Sequence, residues 1–247
     1  MRRREDGWGL AGAHWPELGD VDLVLVPVGS TEQHGPHLPF DTDTVIAASV
    51  AAAAAERLHD DGVSVRVAPP LPFGASGEHE AFPGTVSIGE EVLAGVVIEM
   101  ARSIRTWAPR VVFVNGHGGN IRALSGAVAQ LRGEGHDAAW VPCATPGADA
   151  HAGHAETSVL LNLAPERVHL AEAVAGPVAP VEELMPLLRE RGVRAVSPSG
   201  VLGDPTAASA EHGALVVEAM TASLVRRVTA AAVDGRGCLR DVATVER

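Results

Sequence analysis

Three short runs of nearly unbroken aliphatic side chains limit what this chain can fold into: "DLVLVPVG" at 22–29, "RVVFVN" at 110–115 and "DAAWVPC" at 137–143. A strand with one wet face alternates apolar and polar residues, whereas a run apolar at every position fits a strand covered on both faces. Helical patterns separate the runs: "DTVIAASVAAAAAERLH" (43–59), "SIGEEVLAGVVIEMARSIRTWAP" (87–109), closed by Pro109, and "IRALSGAVAQLRGEG" (121–135). A fourth strand, 63–68, breaks at the prolines that follow it, and further helices are expected at 155–163, 181–191 and 208–233. Strands alternating with helices of this length predict βαβ units, hence an α/β fold with a mostly parallel sheet covered on both faces. No linker-like run or fixed-period repeat divides the chain, so residues 1–247 are read as one domain, with 1–20 a flexible or oligomer-contacting segment.

Charge and composition exclude several function classes. Acidic residues outnumber basic ones 31 to 19, a formal charge of -12 that disfavours nucleic acid and anionic membranes as partners. Aromatics are 3% with no Tyr, leaving few rings to stack on bases or sugars. Two cysteines without CxxC spacing exclude a disulfide framework. "MRRRED" is not followed by an apolar leader core, and no run reaches the ~18–20 apolar residues of a membrane span, so a cytoplasmic protein is expected.

Ligands of open parallel sheets bind beyond the carboxyl ends of the strands. "STEQHGPH", "GASGEHE", "NGHGGN" and "DAHAGHAETS" each follow a predicted strand, and together they hold six of the eleven histidines. Glu32 and His34 are two residues apart, so an extended backbone turns both to one side. Asp43 could simply cap the helix it begins, and Glu156 could simply complement a helix dipole. In company with His117, however, five such side chains from three loops fit a two-metal centre sharing a carboxylate. His37, between two prolines, reads as an orienting or solvent-facing residue. The glycines of "NGHGGN" lack the Lys-Ser/Thr of a phosphate loop and let His117 and the backbone approach a ligand, with Asn115 and Asn120 bracing the turn. There is no GxSxG elbow, and Cys143 reads as packing rather than as a nucleophile.

In order along the chain, "PVGSTEQHGPHLPFDTD", "GASGEHEAFPGT", "VNGHGGN" and "HAGHAETS" resemble the creatininase family of metal-dependent amidohydrolases. "GASGEH", "HAGHAETSVLL" and "GVLGDPTAAS" look most like a branch of that family acting on a modified precursor peptide. The resemblance implies a Rossmann-like α/β/α sandwich, two divalent ions per chain (Zn²⁺, Fe²⁺ or Mn²⁺) and a homo-oligomer, often a hexamer. It matches Glu32, His34, Asp43 and His117 to metal ligands with Asp43 bridging, His151 to the catalytic proton carrier, and Ser76 to a substrate contact. Glu78, Gly118 and Gly119 are further candidates for the substrate. Creatinine hydrolases of the family carry Tyr-Glu at Gly118-Gly119 and Trp-Asp at Gly147-Ala148. Glu156 is therefore the expected replacement for the missing carboxylate ligand, and the glycines are expected to leave space for something longer than creatinine, such as a peptide.

Overall fold

The computed structural model describes residues 7–241, so the first six residues of the expected N-terminal segment lie outside the described part. Four strands, β1 (Leu23–Val28), β2 (Val65–Val67), β3 (Val111–Asn115) and β4 (Ala138–Pro142), form one sheet in the order β2-β1-β3-β4. Every pairing is parallel, with Leu23 opposite Val65, Val24 opposite Val111 and Val111 opposite Ala138. The helices are α1 (Thr42–Asp60), α2 (Glu90–Ile104), α3 (Ile121–Gly133), α4 (His154–Leu163), α5 (Val181–Arg191), α6 (Val193–Val196) and α7 (Ala210–Ala230). Only the four-residue α6 has no counterpart among the expected elements. Among the described residues, no helix is long and apolar enough to cross a membrane.

Why the strands read as continuous apolar runs is visible in the core. Leu23, Leu25, Val112, Val114, Ala139 and Val141 point to one face, where they pack with α1, α4 and α7. Val24, Val26, Val28, Val111, Phe113, Ala138 and Trp140 point to the other, against α2 and α3. Alternate residues serve alternate layers, so both sets must be apolar.

The chain crosses from β1 to β2 on one side, then returns to place β3 on the other side of β1. Such a reversal opens a crevice at the carboxyl ends of the two central strands. The first turn of α1 closes on that crevice, and Gly116, just past β3, passes directly beneath it. A Cβ at Gly116 would lie 2.4 Å from the Asp43 carbonyl oxygen. Gly116→Ala should therefore displace the turn that carries Asp43 and destabilise the protein by about 1–3 kcal/mol, the usual cost of overpacking. A lowered urea midpoint at unchanged slope is the expected readout.

Candidate metal centre

The loop after β1 carries Ser30, Glu32, Gln33 and His34, all essentially buried. Asp43 sits in the first turn of α1, but the N-cap is Asp41 and the Asp43 carboxylate turns inward rather than capping. One Asp43 oxygen lies 3.1 Å from His34 Nε2. The other accepts from the Ser30 hydroxyl at 2.6 Å and stands 3.4 Å from His117 Nδ1. His117 follows β3, and its turn is braced as expected. Asn115 Nδ2 donates to the His117 carbonyl at 2.7 Å, while Asn120 links Gly29 O (3.0 Å) to the Ala75 amide (2.9 Å). Asn120 thus ties the loops after β1, β2 and β3 together.

Glu156 reaches the same place from α4. Its Oε2 lies 3.8 Å from His34 Nε2 and accepts from the Ala152 amide at 2.6 Å. Ala152 itself has φ 51°, a left-handed conformation that costs an L-residue about 1–2 kcal/mol. That turn lets both His151, before it, and Glu156, after it, face the crevice. His151 Nδ1 is 3.7 Å from Glu32 Oε1, and its ring centroid is 4.3 Å from that of His34.

Glu32, His34, Asp43, His117, Glu156 and His151 are therefore neighbours, and the structure adds His79 and Gln33 to them. His79 Nε2 is 3.4 Å from Glu32 Oε1. The Gln33 amide nitrogen lies 2.8 Å from His79 Nδ1 and 3.2 Å from His151 Nε2. In "GASGEHE" the sequence points to Ser76 and Glu78 as substrate contacts and not to His79, but the 3₁₀ turn Gly77–His79 buries His79 and leaves Glu78 half-buried at the edge, 3.5 Å from His117 Nε2. The overlooked signal was a histidine in the fourth loop, where the other loops already supplied theirs.

Several expectations need correction. His37 is not solvent-facing: it is buried and bonds through Nε2 to the Thr157 hydroxyl at 2.8 Å, next to Glu156. His154 of "HAGHAETS", not among the expected site residues, lies elsewhere, its ring 4.6 Å from that of His212. Gly119 has no room for a side chain, since a Cβ there would come within 2.4 Å of both Ala75 O and His117 Nε2, whereas a Cβ at Gly118 would meet nothing within 4 Å. Gly147 and Ala148 line a separate cavity of about 520 Å³ with His154 and His212, so space freed there does not open onto the cluster. Ser76 is fully buried with its hydroxyl 3.5 Å from His117 Nε2, whereas Glu78, Gly118 and Gly119 line the cavity above the cluster. That cavity has a volume of about 1020 Å³, and Asp43, His79, His117, His151 and Glu156 border it. Among the described residues, no Phe, Trp or Tyr side chain does.

Electrostatics follow from packing carboxylates and imidazoles together out of water. Burial alone would raise Glu32, but His117, His79 and His151 hold it well below its ordinary range. Burial disfavours a proton on His34, yet the charge and hydrogen bond of Asp43 push it up to about 10. Glu32 and Asp43 likewise overcome burial at His117, also at about 10. Burial drives His79 down to about 4 and His151 well below its usual value, while it lifts Glu156 to about 7. Burial also pushes the Cys143 thiol up to about 12, which agrees with packing rather than nucleophilic attack.

These residues fit divalent metal. Both Glu32 oxygens are buried without a hydrogen bond, a rare condition that a cation resolves. Three triads have donor atoms all within 4.8 Å of one another: Glu32–Asp43–His117, His34–His151–Glu156 and Glu32–His79–His151. Mixed nitrogen and oxygen donors suit Zn²⁺, Fe²⁺ and Mn²⁺.

The fold and this cluster define an amidohydrolase of the creatininase type, and the comparisons agree: the chain belongs to the creatininase family, whose creatinine amidohydrolase profile matches residues 11–228. It is 55% identical over 223 residues to the mycofactocin precursor peptide peptidase of Mycolicibacterium smegmatis, covering 89% of each chain. It is also 32% identical over 232 residues to the creatinine amidohydrolase of Pseudomonas putida, covering 81% of this chain and 85% of that one. Among solved structures, a putative creatinine amidohydrolase from Bacteroides fragilis superposes with a TM-score of 0.76 at 27% identity, covering 89% of this chain and 94% of that one. Creatininase structures in zinc–zinc and manganese forms superpose with TM-scores of 0.71.

Because the folded state raises both His34 and His117 from 6.5 to about 10, their protons stabilise the metal-free protein fully below pH ~6.5. That contribution is lost as pH rises toward 10. The urea midpoint of chelator-treated protein should fall between pH 7 and 9.5, and loading with Zn²⁺ at pH 7 should release protons. A flat midpoint and no proton release would contradict protonated imidazoles at these positions.

Proposed function

We propose that this chain is a metal-dependent peptidase that cleaves the modified mycofactocin precursor peptide near its C-terminus, releasing a Val-Tyr-derived dipeptide. One observation carries the choice of a peptide over a small amide. The cavity above the cluster, about 1020 Å³, lies at the top of the usual range for ligand sites, and among the described residues no Phe, Trp or Tyr lines it to stack on a small flat substrate. Identity of 55% to a peptidase of that name supports the same choice. The rival substrate is a small cyclic or formyl amide, as suggested by the more distant creatinine amidohydrolase. A homo-oligomer, of hexameric order by family resemblance, and a cytoplasmic location belong to the same proposal.

Glu32, Asp43 and His117 would hold one divalent ion, and His34, Asp43 and Glu156 a second. Such ions supply Lewis acidity, toward an amide carbonyl and toward water alike. The remaining chemistry falls to the chain. Asp43 keeps its two oxygens directed to opposite partners because Ser30 fixes one of them. His151 moves the proton that hydrolysis must deliver to the departing nitrogen, a role typically worth 10²–10⁴ in rate. The loops that carry Glu78, Gly118 and Gly119 bound the space left for the peptide.

Metal-loaded protein incubated with radical-modified precursor should give the dipeptide product by mass spectrometry; an intact peptide would remove this substrate. Glu156→Gln should lower metal content from two toward one per chain, measured by elemental analysis. His151→Asn should lose about 10²-fold or more in turnover while keeping both metals. Loss of metal in that variant would make His151 a ligand instead.

A further inference from the structure

Gln33 stands between Glu32 and His34 and is buried. Its Oε1 accepts from the Gly35 amide at 2.9 Å, and a backbone N–H can only donate, so the orientation of the side-chain amide follows from its surroundings. Its Nε2 is left with two protons to give. The Gly200 carbonyl, 3.2 Å away, can only accept one of them. The other goes to His79 Nδ1 at 2.8 Å. His79 Nδ1 therefore carries no proton, and its remaining nitrogen, Nε2, is the N–H facing Glu32 at 3.4 Å. His151 is settled by the backbone of the same residue. Its Nε2 lies 2.8 Å from the Gln33 carbonyl oxygen and must donate, which leaves Nδ1 bare toward Glu32 and the cavity. Two amide protons meet two acceptors, each imidazole keeps one proton, and the 3.2 Å approach of Gln33 Nε2 to His151 Nε2 is then a contact between two donors rather than a hydrogen bond.

We propose that Gln33 is a positioning residue that sorts the two histidines: it keeps the Nε2–H of His79 turned toward Glu32 at 3.4 Å, outside the metal set, and presents the bare Nδ1 of His151 to the reacting groups. Of the three donor triads, Glu32–His79–His151 is then not a metal site, because a neutral His79 whose Nδ1 accepts a hydrogen bond has no lone pair left at Nε2. The proton inventory of hydrolysis also closes. His151 Nδ1 takes a proton from the attacking water as the C–O bond forms, and returns it to the departing nitrogen as the C–N bond breaks. The shape of the pocket holds Gln33 in this role. Gly200 has φ 85°, and a Cβ there would sit 1.8 Å from Gln33 Oε1.

This inference rests on the proposed metal-dependent hydrolysis, but the spectra that decide it need no substrate, so failure to cleave the peptide would leave it standing. Long-range ¹⁵N–¹H correlation spectra of the zinc-loaded protein, assigned with His79→Gln and His151→Asn, should show the proton on Nε2 in both rings and no metal shift on His79. Gln33→Glu offers an acceptor in place of the donor, and should move the His79 proton to Nδ1 while leaving His151 unchanged. Turnover in that variant should fall about 10–100-fold, as for other residues that orient a metal site from outside. A metal-shifted His79, a proton on its Nδ1 in the unsubstituted protein, or an unmoved His79 proton in Gln33→Glu would each overturn the proposal. Where Gln33→Glu does not fold, the spectrum of the unsubstituted protein decides alone.

Discussion

The candidate site is organised around the Asp43 carboxylate, divided between His34 on one oxygen and Ser30 with His117 on the other. A buried carboxylate is costly unless opposite charge and hydrogen bonds meet it. Meeting it here requires the end of β1, the end of β3 and the first turn of α1 at one point. That convergence is available only where the strand order reverses, between β1 and β3. Helix α1 adds a favourable term, since an anion in its first turn faces the positive end of the helix dipole. The positions of β1, β3 and α1, and the absence of a side chain at Gly116, are all consequences of placing that one carboxylate.

Most of the fold was legible because its constraints are periodic. A strand covered on both faces must be apolar along its buried length, and β1 and β4 are, as is β3 up to the Asn115 that ends it at the site. Glu32, His34, Asp43 and His117 were legible for a related reason, since each follows a recognisable strand end within a few residues. His79 was not. Whether a short polar loop turns its Glu or its His inward depends on a single 3₁₀ turn, and no period in the sequence marks such a turn. Gln33 was missed for a different reason. A neutral amide has no chemistry to announce it, and its importance arises only from the buried rings it happens to face.

Space is the property that sequence reads worst. Glycine at 118–119 and 147 suggested room beside the site, and Gly118 does face open space, yet Gly119 is hemmed in by Ala75, His117 and Glu78, and Gly147 borders another cavity. A missing side chain opens a site only if nothing else has closed over the position. Here the loop after β2 packs against the loop after β3, tied to it through Asn120. The volume proposed to take a peptide lies between these loops, Gly118 included, and α5, through Val181, Met185 and Leu188.

This closure bears on why Glu156 should serve where relatives use a carboxylate in the glycine turn. With Ala75 O and His117 Nε2 each 2.4 Å from any Cβ at Gly119, a carboxylate cannot be restored there without parting the two loops. A ligand from α4 avoids that conflict but changes what the site depends on. Helix α4 shares its core with α1 and α7, and Ser158, two residues past Glu156, accepts from the Ser209 amide at the start of α7 at 3.1 Å. Held this way, Glu156 would be positioned by the packing of the C-terminal helix rather than by a loop at the sheet edge. The left-handed Ala152, stabilised by the same carboxylate, is the local cost of that arrangement. Two of the proposed donors would then answer to different parts of the fold: His117 to the sheet and its Asn braces, Glu156 to helix packing on the opposite layer.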